Sequence, residues 1–330
     1  MTVTTLRFNQ VTPGLDRHEV AARYRATVEM AGYADREGFD LISLEEHHGA
    51  DDGWSPSPLS TAGAIFGATQ RIGVMLCAIL TPLYEPLRLA EDVAVLDHLS
   101  GGRLSLVAGL GYRPEEYAAL GRDWAQRGRL QDEVLSTLLA AWTGEPFEYR
   151  GRTVRVTPRP LTDPHPTLMI GGSSRVAVRR AVRLGLPFMT AAHLPELAEY
   201  YDRLAAEAGL AGGYALLPQK LTRMVHCTED PDRAWARYGS HFLHEAATYR
   251  GWQTEDITSA LRSTALTPEQ LRAEGIYCCL TPAECVEIAR AGGPFDSITL
   301  HPLCGGIPVD AGWESLRLFG EQVLPQLATL

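Results

Sequence analysis

The chain has no long apolar run and no concentration of positive charge. None of its hydrophobic stretches approaches the ~18 residues that a membrane span needs, and its first residues lack the basic and apolar regions of a signal peptide. Its 30 Lys and Arg residues are outnumbered by 40 Asp and Glu residues. Nucleic-acid binding depends on clustered basic residues. The sequence therefore predicts a cytoplasmic protein with neither a membrane nor a nucleic-acid partner.

Cysteine is scarce, and its spacing does not indicate a metal. The six cysteines include no Cys-x-x-Cys pair. We expect the adjacent Cys278 and Cys279 to be packed thiols rather than metal ligands or a strained disulfide. A Walker phosphate loop, a His-Glu-x-x-His zinc motif and a serine nucleophile elbow are also missing from the sequence. We therefore predict no metal site.

What the chain does contain is an alternation of apolar runs with segments of helical spacing. Strands are predicted at 6–10, 40–44, 74–80, 104–108, 167–170, 186–190, 221–227 and 297–300. Helices are predicted at 18–37, 58–69, 86–98, 114–120, 126–142, 175–184, 195–208, 231–247, 282–291 and 313–327, with a hairpin at 147–156. Continuous apolar strands are typical of parallel sheets covered by helices. The pattern predicts one α/β domain over residues 1–330, a (β/α)8 TIM barrel with an insertion.

Two stretches bear on alternatives to a plain barrel. Residues 248–280 show no clean period and are predicted to be an excursion or lid at one barrel end. Gly109-Leu-Gly111-Tyr-Arg begins like the dinucleotide fingerprint G-x-G-x-x-G, but Pro114 stands where the third glycine belongs. The doubly wound alternative is therefore disfavoured.

Polar residues follow predicted strands, at the edge where active sites of parallel α/β proteins lie. His47 and His48 follow the second strand. Because adjacent residues on an extended chain point in opposite directions, we expect one histidine to line the mouth as a proton donor and the other to pack outward. The alternative is that both are satisfied polar groups. His193 and His301 each follow a later strand and are second acid or base candidates, with a structural role as the alternative.

A glycine-serine turn follows the fifth predicted strand. Gly171, Gly172, Ser173 and Ser174 precede a helix that begins near Arg175. Glycine permits close backbone approach, and a helix N-terminus offers unpaired N–H donors. The turn is thus a candidate phosphate cradle, and the alternative is an ordinary turn with serine as the N-cap.

Small residues at two other strand ends could accept a flat ring system. Gly109 and Gly111 would allow close approach to the backbone, and the strand end at Ala78 and Ile79 is small and apolar. Plain core packing is the alternative for that strand end. Five aromatic residues are candidates for a pocket lining, with core or surface packing as the alternative: Trp54, Tyr84, Tyr112, Tyr117 and Trp252.

Motifs spread along nearly the whole chain resemble one family. They include Leu-Glu-Glu-His-His at 44–48, Pro-Leu-Tyr-Glu-Pro at 82–86, the run at 89–104, and Gly-Leu-Gly-Tyr-Arg-Pro-Glu-Glu-Tyr at 109–117. Further matches are at 56–58, 69–72, 127–129, 142–144, 170–174, 298–302 and 323–325. In this order they resemble the bacterial luciferase-like flavin-dependent oxidoreductases.

The resemblance implies a TIM-like barrel that binds reduced FMN or, in a sister branch, a deazaflavin coenzyme. In the luciferase branch, reduced flavin and dioxygen form a C(4a)-(hydro)peroxide that oxygenates a small organic substrate. A separate flavin reductase is implied as the source of electrons, and a homodimer is expected because family members are commonly dimers.

The resemblance also implies roles for individual residues. His47 corresponds to the acid/base, and Ala78 and Ile79 to the strand end under the isoalloxazine, often with a cis peptide. The remaining cofactor-binding positions are Gly109, Leu110 and Gly111 against the flavin ring, and Gly171, Gly172, Ser173 and Ser174 at the phosphate. Bacterial luciferase has a reactive cysteine at the position of Gly109, so light emission is not expected here.

Two other functions stay open at this point. One is hydride transfer through a deazaflavin without oxygen, for which Arg113, Arg175 and Arg179 could bind the anionic tail of the coenzyme. The other is a non-catalytic flavin-binding subunit, which the retention of His47 disfavours.

Overall fold

A parallel sheet dominates the computed structural model, which describes residues 2–211, 213–215, 224–254, 257–292 and 297–328. The strands are β1 (Val3–Phe8), β2 (Leu41–Leu44), β3 (Gly73–Leu80), β4 (Leu104–Gly109), β5 (Phe147–Tyr149), β6 (Arg152–Val154), β7 (Thr167–Gly172), β8 (Phe188–Thr190), β9 (Tyr214–Ala215), β10 (Met224–Cys227), β11 (Tyr277–Leu280) and β12 (Ser297–Leu300). Ten of them form one sheet in the order β11-β10-β12-β1-β2-β3-β4-β7-β8-β9, and β5 and β6 form an antiparallel hairpin.

Helices connect the strands of the sheet. They are α1 (Arg17–Glu37), α2 (Pro58–Ala68), α3 (Pro86–Ser100), α4 (Pro114–Ala119), α5 (Arg127–Ala141), α6 (Arg175–Leu184), α7 (Pro195–Glu207), α8 (Pro231–Trp252), α9 (Pro268–Glu274), α10 (Pro282–Ala291), α11 (Val309–Gln322) and α12 (Leu324–Leu327). Short 3-10 turns lie at Thr81–Leu83, Trp124–Gln126 and Cys304–Gly306. No helix in the described part of the chain is long and apolar enough to cross a membrane.

The predicted α/β architecture of parallel strand–helix units is confirmed. All eight predicted strands are present, although the first lies at 3–8 rather than 6–10 and part of the seventh, residues 221–223, lies outside the described residues. The structure adds β9 and β11 to the eight. Among the described strands, no pairing joins β9 to β11, so the described sheet has two ends.

The prediction that residues 248–280 form one excursion needs correction. Residues 248–252 continue α8, 268–274 form α9, and 277–280 form β11, which pairs with β10. Two signals in the sequence favoured these elements. Thr267 caps α9 and is followed by a proline, a standard helix start, and the Tyr-Cys-Cys-Leu run of β11 is buried as an apolar strand would be.

The two faces of the sheet differ in chemistry. Leu6 and Phe8 of β1 belong to the main hydrophobic core together with helix residues such as Met30 of α1. Arg7, on the alternate face of β1, is nevertheless buried and 3% exposed. Side chains alternate across a strand, so the face of β1 turned away from the helices is polar and shielded from water. That face leads towards the candidate site.

Candidate active site

The carboxyl ends of four neighbouring strands bring the predicted site segments to one edge of the sheet. β2, β3, β4 and β7 are consecutive in the sheet and parallel. His47 follows β2, Ala78 and Ile79 lie near the end of β3, Gly109 ends β4 opposite Leu80, and Gly172 ends β7. The predicted segments therefore share the sheet edge where parallel α/β proteins carry their active sites.

His47 is buried and bonded through both ring nitrogens. Its Nδ1 lies 2.8 Å from Glu116 Oε1, and its Nε2 lies 3.0 Å from the hydroxyl of Tyr112. A carboxylate can only accept, so we assign the ring proton to Nδ1, which leaves Nε2 to accept from Tyr112. Glu116 thus fixes the tautomer and the orientation of the imidazole.

Glu116 stays ionised in this setting although it is buried. Burial raises its pKa, but the hydrogen bond with His47, the backbone N–H of His48 and the nearby Arg113 outweigh burial and lower its pKa below the usual range. Burial raises the pKa of Tyr112, so that phenol is neutral and donates. Carboxylate, imidazole and phenol form a chain that can hold or pass a proton.

His48 binds a different carboxylate from its neighbour. Its Nε2 lies 3.1 Å from Glu46 Oε1, and Glu46 also accepts from the backbone N–H of Leu80 at 2.6 Å and from the hydroxyl of Tyr84. Burial lowers the pKa of His48, but the hydrogen bond and charge of Glu46 raise it above its ordinary value. The two histidines therefore have separate partners, and Glu46 fastens the loop after β2 to the end of β3.

Aromatic rings surround His47. Ring centroids of Trp54, Tyr249 and Trp252 lie 5.7, 6.4 and 4.7 Å from that of His47. Tyr249 and Trp252 belong to the last turn of α8. The predicted end of this helix at residue 247 is therefore too early. The spacing of Glu245, Tyr249 and Trp252, four and then three residues, was a signal for the longer helix.

The aromatic candidates from the sequence divide into two groups. Trp54, Tyr112 and Trp252 gather at His47, whereas Tyr84 binds Glu46 at the end of β3. Tyr117 packs in a separate apolar cluster with Trp124, and its hydroxyl donates to the carbonyl of Leu110. The latter contact holds the Gly109–Gly111 loop against α4.

A buried network of charges lies beside these rings. Arg7 pairs with Glu45, lies 3.0 Å from Glu245 Oε1, and donates to the hydroxyl of Tyr249 at 2.8 Å. Tyr249 in turn donates to Glu45 Oε2 at 2.9 Å. Burial opposes the charge of Glu245, but His301 and Arg7 hold its pKa well below the usual range. Burial is likewise outweighed at Arg7, whose pKa is raised by its carboxylate partners.

His301 belongs to this network and not to the contacts of His47. Its Nε2 lies 3.0 Å from Glu245 Oε2, and Cys304 Sγ lies 3.2 Å from the same oxygen. The three ligand atoms lie within 4.8 Å of one another, but Arg7 already compensates the carboxylate. Burial also raises the pKa of the Cys304 thiol well above its ordinary value. The chemistry favours a charge-compensated cluster rather than a cation site.

His193, the other histidine predicted as a second acid or base, lies in the turn after β8.

The strand ends at β3 and β4 fit together closely. The peptide between Cys77 and Ala78 is cis, and the register of β3 against β4 shifts between Cys77 and Ile79. A Cβ on Gly109 would lie 2.8 Å from the Cβ of Ala78, closer than carbon atoms pack. Glycine at position 109 is therefore required by this contact.

In the glycine-serine turn after β7, some residues are used by the fold and others are available to bind a ligand. Ser174 caps α6 by accepting from the backbone N–H of Ala177 at 3.3 Å, and a Cβ on Gly171 would lie 2.7 Å from Val107. The hydroxyl of Ser173 makes no hydrogen bond to any described residue and is partly exposed. The first N–H groups of a helix have no intrahelical acceptor, so Ser173 and the start of α6 offer donors to an anion.

An ion pair fastens the loop after β2 to α8. His244 Nε2 lies 2.8 Å from Asp52 Oδ2, and the His244 side chain is 36% exposed. The hydrogen bond with Asp52 is the main cause that raises the pKa of His244. These two segments supply His47 and its aromatic cover, so the ion pair holds the two parts of the candidate site together.

This ion pair predicts a pH dependence of stability. Because the folded-state pKa of His244 is raised, its contribution is present below the ordinary value of 6.5 and is lost as pH rises through the raised pKa. We expect the Tm difference between wild type and His244→Gln to be about 1–2 °C at pH 6 and near zero at pH 9. His18→Gln, at the exposed start of α1, is the matched control. A difference that grows with pH would contradict the assignment.

Known proteins match the chain along most of its length. A family model described as luciferase-like monooxygenase matches residues 1–288. The FMNH(2)-dependent dimethylsulfone monooxygenase of Pseudomonas putida is 29% identical over 219 residues, which cover 62% of this chain and 60% of that relative. The F420-dependent glucose-6-phosphate dehydrogenase of Nakamurella multipartita is 29% identical over 325 residues, which cover 92% of each protein.

A solved structure shares the fold at lower identity. The oxygenating constituent of 3,6-diketocamphane monooxygenase from the CAM plasmid of Pseudomonas putida, a type II Baeyer-Villiger monooxygenase in complex with FMN, superposes with a TM-score of 0.71. It is 20% identical, and the match covers 99% of this chain and 98% of that one.

Proposed function

Since the chain belongs to the luciferase-like monooxygenase family, we propose that it is a monooxygenase that uses reduced FMN and dioxygen to oxygenate a small organic substrate. The observation that carries this proposal is the buried His47, oriented by Glu116 at the sheet edge that also carries the glycine-serine turn. The similarity to an FMNH(2)-dependent relative supports the choice of coenzyme.

Several features at this edge fit a phosphorylated flavin. Ser173 and the start of α6 would bind the phosphate with N–H and hydroxyl donors. Gly109, Leu110 and Gly111 would lie against the ring system, with Ala78 and Ile79 beneath it. Ala78 near the end of β3 and Gly109 at the end of β4 carry a methyl group and no side chain, so the backbone can be approached closely at these two positions. When bound, reduced FMN supplies the electrons that activate dioxygen.

The chain's own residues would manage protons and water. Glu116 keeps His47 in the tautomer whose Nε2 can accept a proton, and Tyr112 can deliver a proton to that same atom. Trp54, Tyr249 and Trp252 cover the imidazole and limit the access of water. Excluding water from a site limits the side reactions of whatever reactive group it holds. The electrons would come from a separate flavin reductase, since the sequence has no dinucleotide fingerprint.

A second candidate is hydride transfer with a deazaflavin coenzyme. The F420-dependent relative aligns over 92% of this chain and favours it. Arg175 and Arg179 lie at the exposed start of α6, where they could bind the anionic tail. Arg113 is not available for that role, because its guanidinium binds Glu116 and lies over Trp252. One of the three arginines proposed from the sequence is thus committed elsewhere.

Flavin binding discriminates the two candidates. We expect wild-type protein to bind FMN more tightly than the deazaflavin coenzyme in a fluorescence titration. Ser173→Asp should weaken FMN binding by about tenfold to a hundredfold, because it sets a carboxylate against the phosphate. Thr281→Asp adds the same charge at the start of α10, which follows β11 and not β7, and should leave FMN affinity unchanged. Tighter binding of the deazaflavin would favour the second candidate, and equal FMN affinity of both variants would remove the phosphate assignment.

A further inference from the structure

An indole ring of the protein itself occupies the space beside His47. The ring centroid of Trp252 lies 4.7 Å from the imidazole of His47 and 5.1 Å from that of Trp54, and the guanidinium carbon of Arg113 lies 4.1 Å from it. Flat aromatic groups stack favourably on guanidinium and aromatic faces. The surroundings of Trp252 are therefore those of a site for a planar ring.

The same surroundings contain buried polar atoms that no described residue satisfies. They are Trp54 Nε1, Arg113 Nε, Glu116 Oε2 and Gln253 Oε1, two donors and two acceptors. Trp54, Arg113 and Glu116 each contact His47 or Trp252, and Gln253 follows Trp252 in the chain. Buried polar groups are satisfied in most proteins, and unsatisfied ones call for an explanation. A ligand with a polar substituent would supply the missing partners.

Trp252 is placed so that it could leave. It is the last residue of α8 and only partly buried, in contrast to Trp54, which is 1% exposed. Helix ends have fewer backbone bonds than helix interiors, so displacing this side chain requires only the final turn to open. Trp252 meanwhile covers one side of the His47 imidazole, with ring centroids 4.7 Å apart.

We propose that Trp252 holds the place of the substrate, and that the substrate is a planar aromatic molecule of about the size of an indole with a hydrogen-bonding substituent. The substrate displaces Trp252 and stacks between His47 and Arg113, and its substituent pairs with one or more of the unsatisfied polar atoms around that position. This inference rests on the proposed function for the identity of the reaction but not for the occupancy of the site. A side chain that competes for a site reduces apparent affinity by the fraction of time it is bound there.

Removing the competing ring gives a test with a definite sign. The probes are 2-naphthol and its saturated, non-planar counterpart decahydro-2-naphthol, titrated calorimetrically into wild type, Trp252→Ala and Trp252→Leu. Each titration is done with FMN-free and FMN-saturated protein. Trp235→Phe, at the other end of α8 against Phe242, is the control. We expect both Trp252 variants to bind 2-naphthol about tenfold more tightly than wild type does. Decahydro-2-naphthol should bind more weakly than 2-naphthol, with the same affinity for the variants as for wild type.

Any other result of the 2-naphthol titrations overturns the inference. Weaker binding of 2-naphthol by the Trp252 variants would make Trp252 a wall that stacks on the ligand. Equal affinity for 2-naphthol and decahydro-2-naphthol would show that the site does not select a planar aromatic substrate. If the variants bind FMN more tightly and FMN-saturated protein does not bind 2-naphthol, the flavin ring and not the substrate occupies the position of Trp252. If wild type fails to bind FMN, the proposed function fails, while the titrations of FMN-free protein still decide the role of Trp252.

Discussion

Turnover of the His47→Ala variant is expected to fall by roughly 10²–10⁴-fold, the usual contribution of a positioned general acid or base. FMN affinity should stay near that of wild type, because the proposed phosphate donors lie after β7 and not on the loop after β2. The measurement is oxygenated product formed per enzyme in the presence of a flavin reductase, NADH and dioxygen. The substrate is whichever compound of an aromatic panel wild type converts.

Two variants separate the proton chemistry of His47 from its packing. His48→Gln removes the neighbouring ring, whose partner is Glu46, and should cost far less turnover. Glu116→Gln keeps an acceptor near Nδ1 without the charge, and should lower kcat with little change in KM, since Glu116 acts by positioning His47. His47→Ala with turnover within threefold of wild type would exclude acid or base work by this residue.

The position of His47 could be predicted from the sequence, but its partners could not. An apolar strand that breaks into Glu-Glu-His-His is a local signal, and parallel strand ends meet at one edge by geometry. Glu116 reads as an ordinary acidic residue in the first turn of a helix, where the helix dipole favours one. Its bond to His47 spans 69 residues, and such a contact depends on how the loops pack.

The same limit applies to the fold. Eight strands and most helices follow from local periodicity, and Gly38, with a left-handed φ of 97°, ends α1 as a glycine C-cap. β9, with two residues, is too short to carry a periodic signal. β11 was not predicted because its four residues lie within a stretch that shows no clean period, although its first three side chains are buried. Thiols can serve as small hydrophobes in a core.

The charged interior is the feature that sequence patterns conceal most completely. Arginine is almost never fully buried unless it is paired, so Arg7 within a strand reads as a solvated edge residue. Its partner Glu245 lies 238 positions away, at 0% exposure on α8. Only the packing of α8 beside β1 makes the pair, and Tyr249 connects it to the aromatic cover of His47.

Replacing Glu245 with alanine should lower the free energy of unfolding by ~3–5 kcal/mol, because it leaves a buried charge without its partner. Arg7 would keep Glu45 as its only carboxylate partner, and Asn9 and the backbone N–H of Gly305 would lose an acceptor. Urea denaturation followed by circular dichroism measures the change. Glu133→Ala removes a carboxylate that binds Arg150 at the surface, and should cost at most about 1 kcal/mol.

Acid should reduce the stability that wild type gains from the charge of Glu245, which distinguishes a charge effect from a packing effect. The folded-state pKa of Glu245 is held well below its ordinary value of 4.5, so its charge contributes stability above that value and loses it as pH falls towards the lowered pKa. Glu245→Gln keeps the volume and one acceptor, so the gap between wild type and this variant should narrow below pH ~4.5. A gap that is constant with pH, or a loss under ~1 kcal/mol for Glu245→Ala, would mean that packing, and not the paired charge, holds α8 against β1.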